Sequence, residues 1–455
     1  MAFVTDYCGL ETSLPSDLSA KHWNATIKAF LAHGASTPAH LNRTMQAAPD
    51  FAQGFAVRGL FCLLLGRVEL IETAQEMLLA ARKSTDAPTQ REALYIEALS
   101  DWLSGQPSHA AARFELLLND HPEDALAMKL AQAIRFVLGQ PGKMRASLEL
   151  VLPAYANHEA LGFVKGCYAF ALEETGEYCA AEKAGREGLL LAPNDAWGLH
   201  AVAHVYDMTA RAEDGLYWMS GQTAAWAHCN NFRFHVWWHI ALMHLDMGQF
   251  DEALALYDAE IRAEHTDDYR DISNGASLLS RLELEGVDVG ERWEELADIS
   301  ENRTDDGCVV FADLHYMLSM IGGNRTQSVR KMMARMAKDG ARAQTEMETL
   351  TKHPGLSAAE GLEAYSEGRY GTAFTHLAAA RTDLQSIGGS HAQRDVFERL
   401  TIEAALRSGF LESAEKLLDE RQALRAGHED GYTARHRALI SQAYADARLS
   451  ALPVV

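Results

Sequence analysis

Basic residues are scarce: 41 Lys and Arg stand against 63 Asp and Glu in 455 residues, a formal net charge of −22. A surface that acidic repels phosphate backbones and anionic lipid, so neither nucleic acid nor a membrane is expected as a partner. Long apolar runs are also lacking. No stretch reaches the ~18 apolar residues that a bilayer-spanning helix needs. The opening stretch MAFVTDYCGLE has no basic segment followed by an apolar run, which argues against a secretory signal and for a cytoplasmic location. The N-x-[ST] matches at Asn24, Asn42, Asn302 and Asn324 carry no weight in that setting.

Cysteine is sparse and scattered. Cys8, Cys62, Cys167, Cys179, Cys229 and Cys308 form no C-x-x-C pair, so free thiols in a reducing compartment are expected. A nucleophilic Cys229 beside nearby histidines competes with its role as a buried small hydrophobe, and the second is favoured. Phosphate-binding G-x-x-x-x-G-K-[ST] and G-x-G-x-x-G loops are missing, as is the G-x-S-x-G elbow. Strict alternation of Val, Ile and Thr is missing too, and only 11 prolines occur, mostly between helical segments.

What is there reads as helix. Ala, Leu, Glu, Arg and Met dominate, apolar residues recur at spacings of three and four, and 48% of the chain is hydrophobic. The helices repeat. Gly176, Tyr178, Ala181 and Pro193 fall where a tetratricopeptide repeat turns, packs and ends, and Ala210 follows Gly176 by 34 residues. Gly105 and Gly139 are also 34 apart, and Gly248, Gly368 and Gly409 mark further units. One helix pair cannot bury its own apolar face, whereas stacked pairs bury a continuous core. The expected fold is therefore all-α, a single right-handed α-solenoid of tetratricopeptide-like helix-turn-helix repeats. Its expected parts are an N-terminal helical cap over 1–50, repeats over 51–263, irregular helical pairs over 264–350, and C-terminal repeats over 351–455. Gly275 to Trp293 and Val309 to Met320 read as helices within the irregular part. Trp23 and the SDLSAKHW run suggest a capped helix near the start.

The stretch from Ala196 to Phe250 carries the chemistry. His200 with His204, and His235 with His239, are i,i+4 pairs, so each would point two imidazoles to one side of a helix. In such repeats, positions two, five, nine and twelve of the first helix face the concave groove. With Ala196 as position one, these are Trp197, His200, His204 and Asp207; with Phe234 as position one, they include His235 and Trp238, and His239 falls one step off. Tyr168 of the preceding unit is a further candidate. His-x3-His on a helix suits zinc, with Asp207 as a third ligand or as an orienting carboxylate. The H-E-x-x-H pattern is absent, because Ala201 and Val236 follow the first histidines. General acid–base work by His200, His204, His235 or His239 is the competing chemistry. The bland alternative is a structural polar core.

HAVAHVYDM and NNFRFHVWWHIALMHLDMGQFDEALALYD, with RLELEGVDVGERW, FADLHYML and IGGSHAQRDVFERLTIEAALRSG further on, resemble the tetratricopeptide repeat protein 38 family. The resemblance runs from about residue 20 to 445. It implies a soluble helical-repeat protein and little about activity. It adds His315 and Asp313 in FADLHYML, where His315 is the better groove candidate and Asp313 a cap. It also adds His391 and Arg394 in GGSHAQRD, which would share a helix face with Asp395 nearby. Arg394 would suit a carboxylate or phosphate on a ligand. The alternative is that Ser390 caps this helix and Arg394 pairs with Asp395 or another acid.

Two functions compete. One is a pocket for a small polar ligand, or a short peptide, in a groove lined by His, Trp and Asp. That reading includes a divalent metal such as zinc and hydrolase-type activity. The other is a non-enzymatic scaffold for proteins or peptides, the common use of this architecture. Self-association into a homodimer is compatible with either. Repeat grooves that clamp acidic chain ends present Lys, Arg and Asn; here the inward positions are His, Trp and Asp, which favours the first.

Overall fold

The computed structural model describes residues 4–84 and 87–450. The outermost residues of the expected N-terminal and C-terminal blocks lie outside that range. The described chain is an α-solenoid: antiparallel helix pairs follow one another along almost its whole length. Among the described residues sheet is confined to Val4–Thr5 paired antiparallel with Glu11–Thr12. Among the described residues no helix is long and apolar enough to cross a membrane.

Local sequence explains the elements. The first helix, Asp17–Leu31, starts at Ser16, whose side chain accepts from the Ser19 amide while Ser19 returns a bond to Ser16, a closed capping box. The repeat turns are built on left-handed residues. Gly105, Gly139, Gly176, Gly248, Gly368 and Gly409 all have positive φ, and Ala210 takes the same conformation at φ 52°. The irregular part departs from expectation in one place. Helix runs Tyr269–Leu284, breaks, and resumes at Arg292–Glu301, so Trp293 opens a second helix instead of ending the first. Gly286 and Gly290, both at positive φ, fall in the break.

Apolar residues pack into two large clusters, one around Trp23, Phe51, Phe114 and Phe170, the other around Trp238, Trp293, Phe311 and Phe397. Each such side chain contributes about 1.5–3 kcal/mol on burial. The first helices of the repeats are buried on more than one side: every residue from Asp271 to Leu282 is buried. Helices of that kind lie inside a molecule, not on a one-sided wall.

The reason is that the superhelix winds until its two halves touch. The Glu346 amide donates to Gly105 O at 3.0 Å, Gln385 Nε2 to Gly139 O at 3.3 Å and Tyr178 Oη to Leu424 O at 2.6 Å. Arg303 pairs with Glu69 at 2.7 Å. The concave face is thereby covered by the chain's own C-terminal helices.

Candidate functional site

Two inner helices lie side by side beneath that cover, Ala196–Met208 and Phe232–Asp246. The first carries His200 and His204, the second His235 and His239, and all four rings turn their Nε2 atoms to one point. His204 Nε2 lies 2.9 Å from His200 Nε2. His235 Nε2 lies 3.1 Å from His200 Nε2 and 3.2 Å from His239 Nε2. Ligand atoms of the four lie within 4.8 Å of one another. His239, one step off the expected face, belongs to the cluster.

Protons alone do not account for this geometry. An Nε2 atom has one in-plane site, filled by either a hydrogen or a lone pair. His200 and His235 each face two neighbours, so the three short contacts cannot all be hydrogen bonds. A cation at the centre accepts all four lone pairs. Four nitrogens about 2.0–2.1 Å from a tetrahedral ion sit about 3.3–3.4 Å apart, somewhat wider than the three short contacts of 2.9–3.2 Å.

The surroundings prepare these rings as ligands. Burial drives His235 down to about 3, and burial together with the neighbouring rings drives His200 and His239 well below the ordinary histidine value. All three are neutral at pH 7. His235 Nδ1 donates to Asn274 Oδ1 at 2.9 Å, which leaves its Nε2 bare. His204 differs. Burial pulls it down, but the Glu173 carboxylate, Oε2 at 3.5 Å from Nδ1, lifts it net above the ordinary value. Burial in turn raises Glu173.

A cavity of about 310 Å³ adjoins the cluster, with His200 and His235 in its wall. Trp197 lines the same wall, its ring 4.9 Å from that of His200 and stacked on His33 at 5.4 Å. Trp238 backs the cluster from the other side, stacked on His235 at 5.2 Å.

Other expected residues lie elsewhere. Asp207 stands outside the group of candidate ligands, its carboxylate facing Arg425 at 3.3 Å. Tyr168 points outward and donates to Glu149 at 3.3 Å. His315 is buried between Phe311 and Phe397, donating from Nδ1 to Phe311 O at 2.7 Å, and makes no contact with the cluster. Asp313 is a partner of Arg335, not a cap. His391 and Arg394 bind Glu174, the neighbour of Glu173, at 3.0 Å to its carbonyl and 3.4 Å to its carboxylate. Ser390 does cap that helix, but Asp395 is taken by Arg399 and Arg421. Cys229 is buried, and burial pushes its thiol up to about 12, so it offers no thiolate.

No family model matches the chain. Among solved structures it is similar to yeast Tom70, with a TM-score of 0.36, 10% identity and coverage of 96% of this chain and 91% of that one. A second is the human IFIT1 dimer with m7Gppp-AAAA, with a TM-score of 0.36, 13% identity and coverage of 88% and 90%.

Glu173, Asn274, Lys129 and His33 were missed from sequence, and for two of them a signal exists. Glu173 precedes Asp207 by 34 residues, and Lys129 precedes Trp197 by twice that. The register that turns Trp197, His200 and His204 inward also turns Phe170 and Glu173 inward one unit earlier. Two units earlier it turns Lys129, Gln132 and Phe136 inward, and all three line the cavity. Asn274 and His33 lie outside the regular repeats, where no register applies.

Proposed function

We propose that this chain is a metal-binding solenoid of the tetratricopeptide repeat protein 38 type, in which His200, His204, His235 and His239 hold one divalent first-row ion, zinc foremost. The adjoining cavity holds a small organic ligand. The observation that carries the reading is the convergence of four imidazoles, linked by three Nε2–Nε2 contacts of 2.9–3.2 Å. Neutral imidazoles suit zinc, copper or nickel, and geometry then selects four-coordinate zinc. The covered groove supports a small ligand over a peptide, because an extended segment has no open concave face to lie along.

Four protein ligands fill a tetrahedral shell, which is the arrangement of a structural ion; hydrolysis needs a water as fifth ligand or in place of one imidazole. His200 and His235 face the cavity, so a water would enter there. Hydrolase-type chemistry therefore belongs to the cavity side of the site, and ion binding does not depend on it.

Metal content of the protein purified after growth with and without added zinc tests the reading. The wild type should carry about one ion per chain, and His200→Asn and His239→Asn well below that. A wild type that stays metal-free in micromolar zinc would sink it.

A further inference from the structure

The cavity wall carries a lysine. Lys129 is buried, on the inner face of the Ala125–Val137 helix. Its Nζ lies 3.7 Å from Cys167 Sγ and 4.7 Å from the centre of the Trp197 ring. Among the described residues it makes no ion pair. Asp195 feels its charge but makes no ion pair with it, and burial pushes the Asp195 carboxyl up to about 7 against the opposing pull of Lys129. Of the other charged groups of the wall, the arginine has a carboxylate of its own, and the aspartate is hydrogen-bonded by neutral groups. Arg270 is held by both oxygens of Asp268 at 2.8 and 2.5 Å. Asp271 accepts from Asn231 at 3.2 Å and from Thr266 at 2.5 Å. His33 adds an unpartnered buried Nε2.

The rest of the wall is mainly apolar, with Phe30, Phe61, Phe136 and Phe232. At about 310 Å³ the space is at the small end of the roughly 300–1,000 Å³ typical of ligand pockets. A buried ammonium without a counter-ion is costly, and an anion delivered by a ligand removes that cost. One point-charge cation, with no free arginine fork, suits a monoanion better than a phosphate.

We propose that this cavity binds a small monocarboxylate with an aryl or acyl body, its carboxylate at Lys129 and its body among the phenylalanines. The proposal rests on the cavity being a ligand site and is independent of the ion. Isothermal titration of the full chain with hydrocinnamate and with its uncharged amide, on metal-free and on zinc-loaded protein, tests it. The carboxylate should bind at least about tenfold more tightly than the amide, an electrostatic gain of about 1.4 kcal/mol or more. Lys129→Met should abolish the preference while keeping zinc content and amide binding, and Lys129→Arg should keep it. Equal binding of the two, binding of neither, or a preference that survives Lys129→Met would each overturn the proposal. A preference found in protein that takes up no zinc would leave the proposal standing and remove the ion.

Discussion

Glu173 ends the Leu161–Glu173 helix with no exposed surface, one carboxylate oxygen 3.5 Å from His204 Nδ1. It is the group that sets the orientation and basicity of one imidazole in the cluster, as a carboxylate behind a metal-bound histidine does. Glu173→Gln keeps the size and removes the charge. It should weaken zinc binding about 10–100-fold with an unchanged circular dichroism spectrum. Zinc affinity equal to wild type by competition with a chelator would show that Glu173 only fills space. Its neighbour Glu174 groups with Glu173 and His204 and also binds His391 and Arg394.

At this scale the sequence was informative where the 34-residue register held and silent where tertiary contacts chose the partner. The register placed His200, His204 and His235 on inner faces. It also placed Asp207 there, but the C-terminal Arg425, more than two hundred residues away in sequence, claims that carboxylate. Tyr168 failed for a simpler reason. It lies between inner positions Gly166 and Phe170, and its ring points to the outer side. His315 occupies an apolar slot where burial drives it down to about 3. Nothing in FADLHYML announces that environment.

At the scale of elements, the helix pairs follow from local rules, and the turns show it. Gly176 has φ +83° and nothing within 4 Å of a notional Cβ. Gly139 has φ +60°, and a Cβ there would sit 1.7 Å from Gln385 O in the C-terminal half. The two turns are alike in conformation and differ in what they touch. Gly176→Ala should cost only the left-handed strain, about 1–2 kcal/mol. Gly139→Ala should cost that and, in addition, the contact that closes the solenoid. Denaturation midpoints of the two variants measure the difference. Equal losses would mean that the closing contact at Gly139 is not part of the solution structure. The turn glycines were legible because left-handed backbone demands them. The contact at Gln385 was not, since it depends on how far the superhelix curls.

At the scale of the molecule, curl converts an open groove into an interior. A repeat stack that stays open offers its concave face to a partner. This one fills that face with its own helices and leaves four imidazoles, a cavity and a lone ammonium inside. Buried Nδ1 atoms of His200 and His239 have no hydrogen-bond partner, a cost of about 1–3 kcal/mol each. Ligation offsets that cost, because free energy of metal binding to a preformed site adds to the stability of the fold. An ion bound there would tie the two inner helices together at the centre of the winding.

X-ray absorption at the zinc edge of the zinc-loaded protein tests this account most directly. It predicts about four nitrogen scatterers at about 2.0–2.1 Å with the outer-shell pattern of imidazole. A first shell of sulfur or of oxygen alone, or an ion that leaves during buffer exchange, would contradict it.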